Sequence, residues 1–308
     1  MINNPPWNWS VDEAVEKYEN LKKSDIESLK NWMKGETHLP SIPDEQVVLF
    51  HHACKYELDR TKETIEKCYI MRTNYKELFS NRDPSHPFIQ EIMKVVICTP
   101  LRGFDSNGNQ VIWMRLNNLN PDQYYFGTSL KAIFMTMDAI QLEQGPVPGY
   151  VIVLDGKGYT LSHMLRATIT LCKRFIQYSQ EGSTFFPKAI HVLNLSSVLE
   201  KVVTILKPFM KSDLFSVIKF YKPGKHGELF DHLPASIIPD EYGGTGGVLT
   251  EIQEEHVQHL MKYKDWFAAE EQLRIDETKR GDLRSCAESV LCNEEEDIGT
   301  SLKRLEID

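Results

Sequence analysis

A strand–helix–strand stretch in the second half of the chain limits the possible folds more than any other feature. Residues 190–195 form a short apolar run typical of a buried strand, and residues 217–221 form another. Between them, residues 196–215 carry apolar side chains at the spacing of one helix face, and Pro208 is expected to kink or interrupt this helix. A helix that joins two strands in this way predicts a crossover unit with parallel strands and a right-handed connection.

Strands and helices also alternate before this stretch. We predict strands over residues 111–116 and 150–155, and helices over residues 129–144 and 162–180. Because a helix follows each strand, the pattern predicts an α/β fold with about four strands in a small, mostly parallel sheet.

The two ends of the chain have a different pattern. Residues 1–80 contain helical periodicity alone, and the chain after the α/β stretch returns to helices before a polar, acidic tail begins at Asp276. That tail is expected to be flexible or loosely packed. We therefore predict an N-terminal helical region (1–80), an α/β domain (81–247) and a C-terminal helical extension with the acidic tail (248–308).

The composition argues against several functional classes. A formal net charge of -9 is unfavourable for a general nucleic-acid-binding protein. No apolar run approaches the length of a membrane span, and the N-terminus lacks the pattern of a signal peptide, so a cytoplasmic location is expected. The six cysteines are scattered without a C-x-x-C pair, which fits reduced thiols better than disulfides or a zinc site.

No motif for catalysis, metal binding or cofactor binding is found in the sequence. Residues 155–158 form a turn at a strand end without the spacing of a phosphate-binding loop, and no nucleophile elbow is present. His256 and His259 lie on an acidic helix outside an H-E-x-x-H motif, and we interpret them as part of a solvated face. We therefore expect no enzymatic activity, no catalytic residue, no metal and no cofactor.

Three predicted helices carry more apolar surface than a small sheet needs. Their apolar stripes are Leu130, Ile133, Phe134, Met137 and Ile140; Leu165, Ile169, Cys172, Phe175 and Ile176; and Val202, Leu206 and Phe209. Periodicity alone favours an ordinary packed core, and it does not distinguish a filled core from a cavity.

Several motifs in a fixed order identify a family. They are VLFHHACKYELDRTKETI, GYVIVLDGKGYTLSHML, IHVLNL, LKPFM and HLPASIIPDEYGGTGG. Together they resemble the CRAL-TRIO lipid-binding family, and within it the animal branch that contains alpha-tocopherol transfer protein and cellular retinaldehyde-binding protein. The resemblance covers residues from about 21 to 247, and the segment that follows is similar to the C-terminal extension of many animal members.

The resemblance implies a function as well as a fold. It implies an N-terminal helical lobe and an α/β lobe whose apolar cavity is closed by a lid helix, which would lie within residues 196–215 here. The cavity would bind a hydrophobic small molecule such as a tocopherol, retinoid or carotenoid, and the protein would release it during transient contact with a membrane surface. Burial of apolar area contributes about 25 cal/mol per Å², which is enough for tight binding of a lipophile.

Matching the family's pocket positions predicts fourteen ligand-binding residues. They are Ser129, Ile133, Met137, Tyr150, Ile152, Leu154, Phe175, Tyr178, Ser179, Phe185, Ile190, Val202, Leu206 and Phe209. Among them, Ser129, Tyr178 and Ser179 are the candidates to bind a polar head group.

The chain departs from the family at the basic patch that holds phosphoinositide head groups in tocopherol-transfer-like members. The corresponding positions here are Cys54, Glu63, Phe186, Lys188, Asp213 and Val217. Since only Lys188 is basic, the departure argues against phosphoinositide-coupled exchange. Two alternatives stay open. A phospholipid or phosphoinositide exchange protein would need a large polar anchor in the pocket, and an adaptor with a vestigial pocket would have its cavity filled.

Overall fold

A computed structural model describes residues 7–280 and contains one five-stranded sheet. In spatial order the strands are β1 (Val96–Phe104), β2 (Gln110–Leu116), β3 (Tyr150–Asp155), β4 (Pro187–Leu193) and β5 (Ile218–Phe220). β1 and β2 form an antiparallel pair, and the other neighbouring strands pair in parallel. The predicted α/β fold is therefore confirmed. The prediction of a flexible acidic tail concerns mainly residues 281–308, which lie outside the described residues.

β1 was not predicted as a strand. The helix α6 (Pro87–Val95) continues directly into β1, so no turn signal separates the two elements in the sequence. Pro100, which lies inside β1, also argues against a strand. The proline is tolerated because β1 is an edge strand with a neighbour on one side only.

The predicted crossover between β4 and β5 is confirmed, including its interruption. α10 (Ser197–Leu206) is followed by a 3-10 turn at Lys207–Phe209 that contains Pro208, and α11 (Ser212–Ser216) then leads into β5. The helix predicted over residues 162–180 is, however, two helices: α8 (Leu161–Met164) and α9 (Ile169–Glu181). They are separate because the Thr168 side chain caps α9 by accepting the Leu171 N–H.

The two faces of the sheet are covered differently. C-terminal segments of the chain cover one face of the sheet. The residues buried on that face are Val111, Trp113, Val151, Val153 and Leu193. The other face presents an in-register row across the four parallel strands, Ile112, Ile152, Ile190 and Ile218. This second face lies against α7 (Phe126–Gln144), α9 and α10, and it forms the floor of the candidate site.

The N-terminal helices pack on the same side of the molecule as that row. They are α1 (Val11–Lys17), α2 (Lys23–Gly35), α3 (Asp44–Ala53), α4 (Leu58–Asn74) and α5 (Lys76–Phe79). Phe79 contacts Phe134 of α7 and Tyr178 of α9, so the helical lobe and the α/β lobe share one core. Within residues 7–280, no helix is both long and apolar enough to cross a membrane.

The C-terminal helices α12 (Leu249–Lys262) and α13 (Lys264–Glu270) complete the fold. The prediction that His256 lies on a solvated face is wrong. His256 is buried, and its Nε2 atom is 3.0 Å from the Thr136 hydroxyl of α7. Burial, followed by the nearby His259, lowers the pKa of His256 to about 3, so the imidazole is neutral. The prediction failed because the face of α12 that carries His256 is polar in sequence and nevertheless packs against β1 and α7.

A buried ionic cluster connects the three predicted regions, whose boundaries stay a prediction. Arg72 of α4 bonds Asp138 of α7 at 2.8 Å and Glu270 of α13 at 2.7 Å, and the fully buried Arg82 bonds both carboxylates as well. Burial opposes ionisation of Glu270, but the arginines outweigh it and lower its pKa from 4.5 to about 2. The contribution of this carboxylate to stability is therefore complete above about pH 4.5 and is lost as the pH falls towards 2.

Glu270→Gln is expected to lower the free energy of unfolding by about 3–5 kcal/mol, because it leaves two buried guanidinium groups without a full counter-charge. Urea denaturation measures this loss. The control is Glu91→Gln, which removes an exposed ion pair to Lys94 and should change stability by at most about 1 kcal/mol. Equal, small effects of the two substitutions would contradict the structural role of the cluster.

Candidate ligand-binding cavity

Three isoleucines of this row, Ile152, Ile190 and Ile218, line a cavity of about 360 Å³, whereas Ile112 is packed in the core. The sheet residues that build its apolar floor include Met114, Ile152, Leu154, Ile190, Val192, Ile218 and Phe220. Since side chains alternate between the two faces of a strand, Ile152 and Leu154 of β3 reach the same face as Ile190 and Val192 of β4. The register of the parallel strands thus builds the apolar floor.

Two helices form the side walls of the cavity. α7 contributes Ser129, Leu130, Ile133 and Met137, and α9 contributes Cys172, Phe175, Ile176 and Ser179. Their spacings of three and four residues place each set on one helix face. Burial raises the pKa of the Cys172 thiol to about 12, so this wall carries no thiolate.

The cover of the cavity is α10, which we call the lid helix. It directs Leu199, Val202, Val203 and Leu206 towards the cavity, yet none of its residues is fully buried. The first turn of the lid helix approaches the turn after β3 so closely that a Cβ atom on Gly156 would lie 2.3 Å from Leu199. A larger residue at this position would have to displace the Leu199 side chain and would crowd the Leu193 carbonyl oxygen at 3.1 Å, so glycine allows the close approach of the lid helix.

The same turn is fixed by one carboxylate. Asp155 Oδ1 accepts hydrogen bonds from the Lys157 N–H at 2.8 Å and from the Asn194 side chain at 2.7 Å, and its Oδ2 accepts from the Tyr242 hydroxyl at 2.5 Å. Asp155 therefore joins the ends of β3 and β4 to the loop that carries the E-Y-G-G sequence, and it has a structural role next to the cavity.

Of the fourteen predicted site residues, the structure brings eleven together around the cavity. They are Ser129, Ile133, Met137, Ile152, Leu154, Phe175, Ser179, Phe185, Ile190, Val202 and Leu206. Their role in binding a ligand stays a prediction. Tyr150, Tyr178 and Phe209 lie elsewhere, each for a physical reason.

Tyr150 and Tyr178 are packed behind the cavity wall. The ring of Tyr150 stacks on Phe185, with centroids 3.4 Å apart, and Phe185 takes the place at the wall. Tyr178 points to the N-terminal lobe, where its hydroxyl accepts a hydrogen bond from Arg72 Nε at 2.9 Å. Tyr178 is therefore occupied by the buried ionic cluster and does not serve as a head-group ligand.

Phe209 lies outside the cavity because the 3-10 turn at Pro208 redirects the chain. Its ring packs against the small apolar cluster of Ala167, Ile169 and Cys172, and the Lys173 ammonium group lies 4.7 Å from the ring centroid. The prediction extended the helical periodicity through Pro208 and therefore placed Phe209 on the cavity-facing side of the lid helix. Because the helix is broken at Pro208, Phe209 does not lie on that side.

The sequence reasoning missed polar residues of the wall that come from loops. Tyr124 precedes α7 and Tyr159 follows β3, and both line the cavity. No periodicity marks a loop residue, so the one available signal was the position of Tyr159 directly after a strand end that faces the cavity. Among the described residues, no group of three or more His, Cys, Asp or Glu side chains is arranged to hold a metal ion.

The comparisons with known proteins agree with this geometry. The sequence profile of the CRAL/TRIO domain matches residues 94–244, and the profile described as a Pinta-like UBA domain matches residues 18–89. Residues 94–244 are therefore a CRAL/TRIO domain.

Individual relatives give a closer comparison. The chain is 29% identical over 241 residues to the alpha-tocopherol transfer protein-like proteins of Homo sapiens and Pongo abelii, which is 77% of this chain and 69% of each relative. It is 21% identical over 202 residues to clavesin-2 of Rattus norvegicus, covering 65% of this chain and 62% of the relative. The crystal structure of Sfh5 superposes with a TM-score of 0.46 at 16% identity, covering 85% of this chain and 88% of that one.

Ile133→Phe is expected to be nearly neutral for stability, because the larger ring enters open space at the cavity wall. Ile65→Phe is the matched control, since Ile65 is fully buried in the packed N-terminal core. Urea denaturation should give a loss of about 1–3 kcal/mol for the control and less than about 1 kcal/mol for Ile133→Phe. A comparable loss in both variants would mean that the cavity is filled in solution.

Proposed function

We propose that this chain binds a hydrophobic small molecule of the tocopherol, retinoid or carotenoid type in the cavity and carries it to a membrane. The observation that carries the proposal is the combination of an apolar cavity with a cover, the lid helix, that has no fully buried residue. An empty apolar cavity loses the packing contacts that a lipophile would supply. A bound lipophile would therefore supply these contacts and stabilise the lid helix in its closed position.

The lid helix has the properties of a gate. Its inner residues are apolar, whereas Thr204 on its outer side is exposed. Moving such a helix from the cavity to a membrane costs little free energy, since its apolar face exchanges protein contacts for lipid contacts. The alpha-tocopherol transfer protein-like relatives support the proposed ligand class by their name.

The alternatives are less well supported by the same cavity. A phosphate head group needs several basic residues, and the described lining contains one, Arg115, whose guanidinium lies 3.7 Å from Glu241. An adaptor with a vestigial pocket would be expected to have filled the space under the lid helix. We propose a carrier without enzymatic activity. We also propose a cytoplasmic location, because the cysteines of the described chain are free and buried: Cys54, Cys68, Cys98 and Cys172.

An exposed apolar rim beside the lid helix is the proposed membrane contact. Leu161 and Leu165 are 47% and 48% exposed, whereas Met164 between them lines the cavity. The chain continues from this rim to Ala167 and Ile169, which belong to the small apolar cluster against which Leu206 of the lid helix packs. Insertion of the two leucines into a bilayer would therefore bring the mouth of the cavity to the lipid.

Leu206→Asp is expected to weaken binding of a fluorescent lipophile at least tenfold, because the carboxylate would face an apolar cavity when the lid is closed. A titration with all-trans-retinol measures the affinity. Thr204→Asp on the outer side of the same helix is the control and should bind normally, with both variants retaining wild-type circular dichroism. Unchanged affinity in Leu206→Asp would contradict the assignment of the lid.

Binding to phosphatidylcholine vesicles should depend on the rim and not on phosphoinositides. We expect Leu161→Asp with Leu165→Asp to reduce co-sedimentation with vesicles at least fivefold, since charge opposes insertion. Addition of phosphatidylinositol bisphosphate should change wild-type binding less than twofold, because charge-paired phosphate capture needs several basic residues.

The control for the rim is Phe104→Asp. Phe104 is 46% exposed and lies beside the start of β2, at the opposite end of the sheet from the rim. Selective, strong binding to the phosphoinositide, or equal losses in the control, would overturn this account of the membrane contact.

A further inference from the structure

Three hydroxyl-bearing residues of the cavity wall lie close together. Tyr124 and Tyr159 come from two loops, their rings are perpendicular with centroids 5.9 Å apart, and Ser129 begins the cavity-facing side of α7 beside them. Ser179, by contrast, lies on α9 and donates its hydroxyl proton to the Phe175 carbonyl at 2.8 Å. We call Tyr124, Tyr159 and Ser129 the phenol cluster.

The hydroxyl groups of the phenol cluster contact one another. Tyr124 is within hydrogen-bonding reach of both Tyr159 and Ser129, and neither phenol hydrogen-bonds to a group outside the cluster in the described part of the chain. Ser129 donates its proton to the Tyr125 carbonyl at 3.0 Å, so its oxygen accepts. Because each phenol donates one hydrogen bond and can accept others, a guest oxygen at this position would receive a phenol proton that turns from its neighbour to the guest.

The buried imidazole of His163, next to the phenol cluster, has a ring nitrogen without a hydrogen-bond partner. His163 Nδ1 accepts the Thr160 N–H at 3.2 Å, which leaves the ring proton on Nε2. Nε2 is buried without a hydrogen-bond partner, and the ring lies 5.5 Å from Tyr124 and 5.8 Å from Tyr159. Native structures rarely leave buried donors unpaired, so His163 Nε2 has unused hydrogen-bonding capacity close to the two phenol rings.

The charges around the phenol cluster select against an anion. Burial raises the pKa of Tyr159 to about 12, and the carboxylate of Asp155 acts in the same direction. Arg166, the basic residue near His163, is paired with Asp122 at 2.6 Å, and Arg115 lies 3.7 Å from Glu241, with its buried Nε unpartnered in the described chain. A carboxylate or phosphate at the cluster would lose its hydration and would be repelled by the nearby carboxylate of Asp155.

We propose that the phenol cluster is the polar anchor of the cavity and selects lipids that end in an uncharged hydroxyl, phenol or carbonyl group over lipids that end in a carboxylate or phosphate. This inference rests on the proposed function, and it names the chemical class of the cargo. The tail of such a lipid would lie along the isoleucine row, under the lid helix.

Two retinoids that share one skeleton test the inference with the delipidated full-length chain. All-trans-retinol carries a hydroxyl group, and all-trans-retinoic acid carries a carboxylate at pH 7.4. We expect the wild-type chain to bind retinol at least tenfold more tightly. Tyr124→Phe combined with Tyr159→Phe should weaken retinol binding about tenfold through the lost hydrogen bonds and leave retinoic acid binding unchanged, so that the preference collapses.

The control is Tyr263→Phe, which removes a phenol that donates to Glu143 at 3.2 Å outside the cavity and should retain the preference. If the double variant does not fold, each isosteric single variant should lower the preference in part. Equal or tighter binding of retinoic acid to the wild type, or an unchanged preference in the phenylalanine variants, would overturn the anchor and leave the carrier function standing. Failure of the wild type to bind either retinoid would count against the carrier function, and the anchor would fall with it.

Discussion

A parallel sheet has to be covered on both faces, and the remainder of this structure follows from how differently the two faces are covered. On one face, Trp113 and its neighbours are buried completely by the segment that ends in Tyr242. On the other face, the isoleucine row has α7 and α9 at its sides, and the lid helix, with Met210 and Leu214 after it, covers the remaining opening. A ligand in the cavity would complete this second layer, so binding and folding draw on the same apolar surface.

Rigidity around the cavity comes from polar contacts that lie outside it. The ionic cluster of Arg72, Arg82, Asp138 and Glu270 fixes α7 against the N-terminal helices and α13. At the other end of the cavity, the carboxylate of Asp155 holds three loops together. The lid helix takes part in neither network, which supports the proposal that it is the wall that moves.

The sequence predicted the α/β architecture because hydrophobic periodicity and Pro208 are local signals. β1 escaped prediction because α6 enters it without a turn, and the division between α8 and α9 depends on the capping side chain of Thr168. The predicted residues on strands and helices line the cavity because strand register and helical spacing determine which way each side chain points. Tyr150, Tyr178 and Phe209 were misplaced, and Tyr124 and Tyr159 were missed, because stacking, a distant arginine and loop conformation are tertiary effects.

The central claim is that the cavity carries a lipophile, and the cargo of the native protein tests it most directly. The chain would be purified from its natural tissue, extracted with organic solvent and analysed by mass spectrometry together with an absorbance spectrum. We predict one neutral isoprenoid or polyene lipid per chain. A stoichiometric phospholipid would contradict the proposed cargo, and a chain that carries nothing and takes up no added lipophile would contradict the carrier function itself.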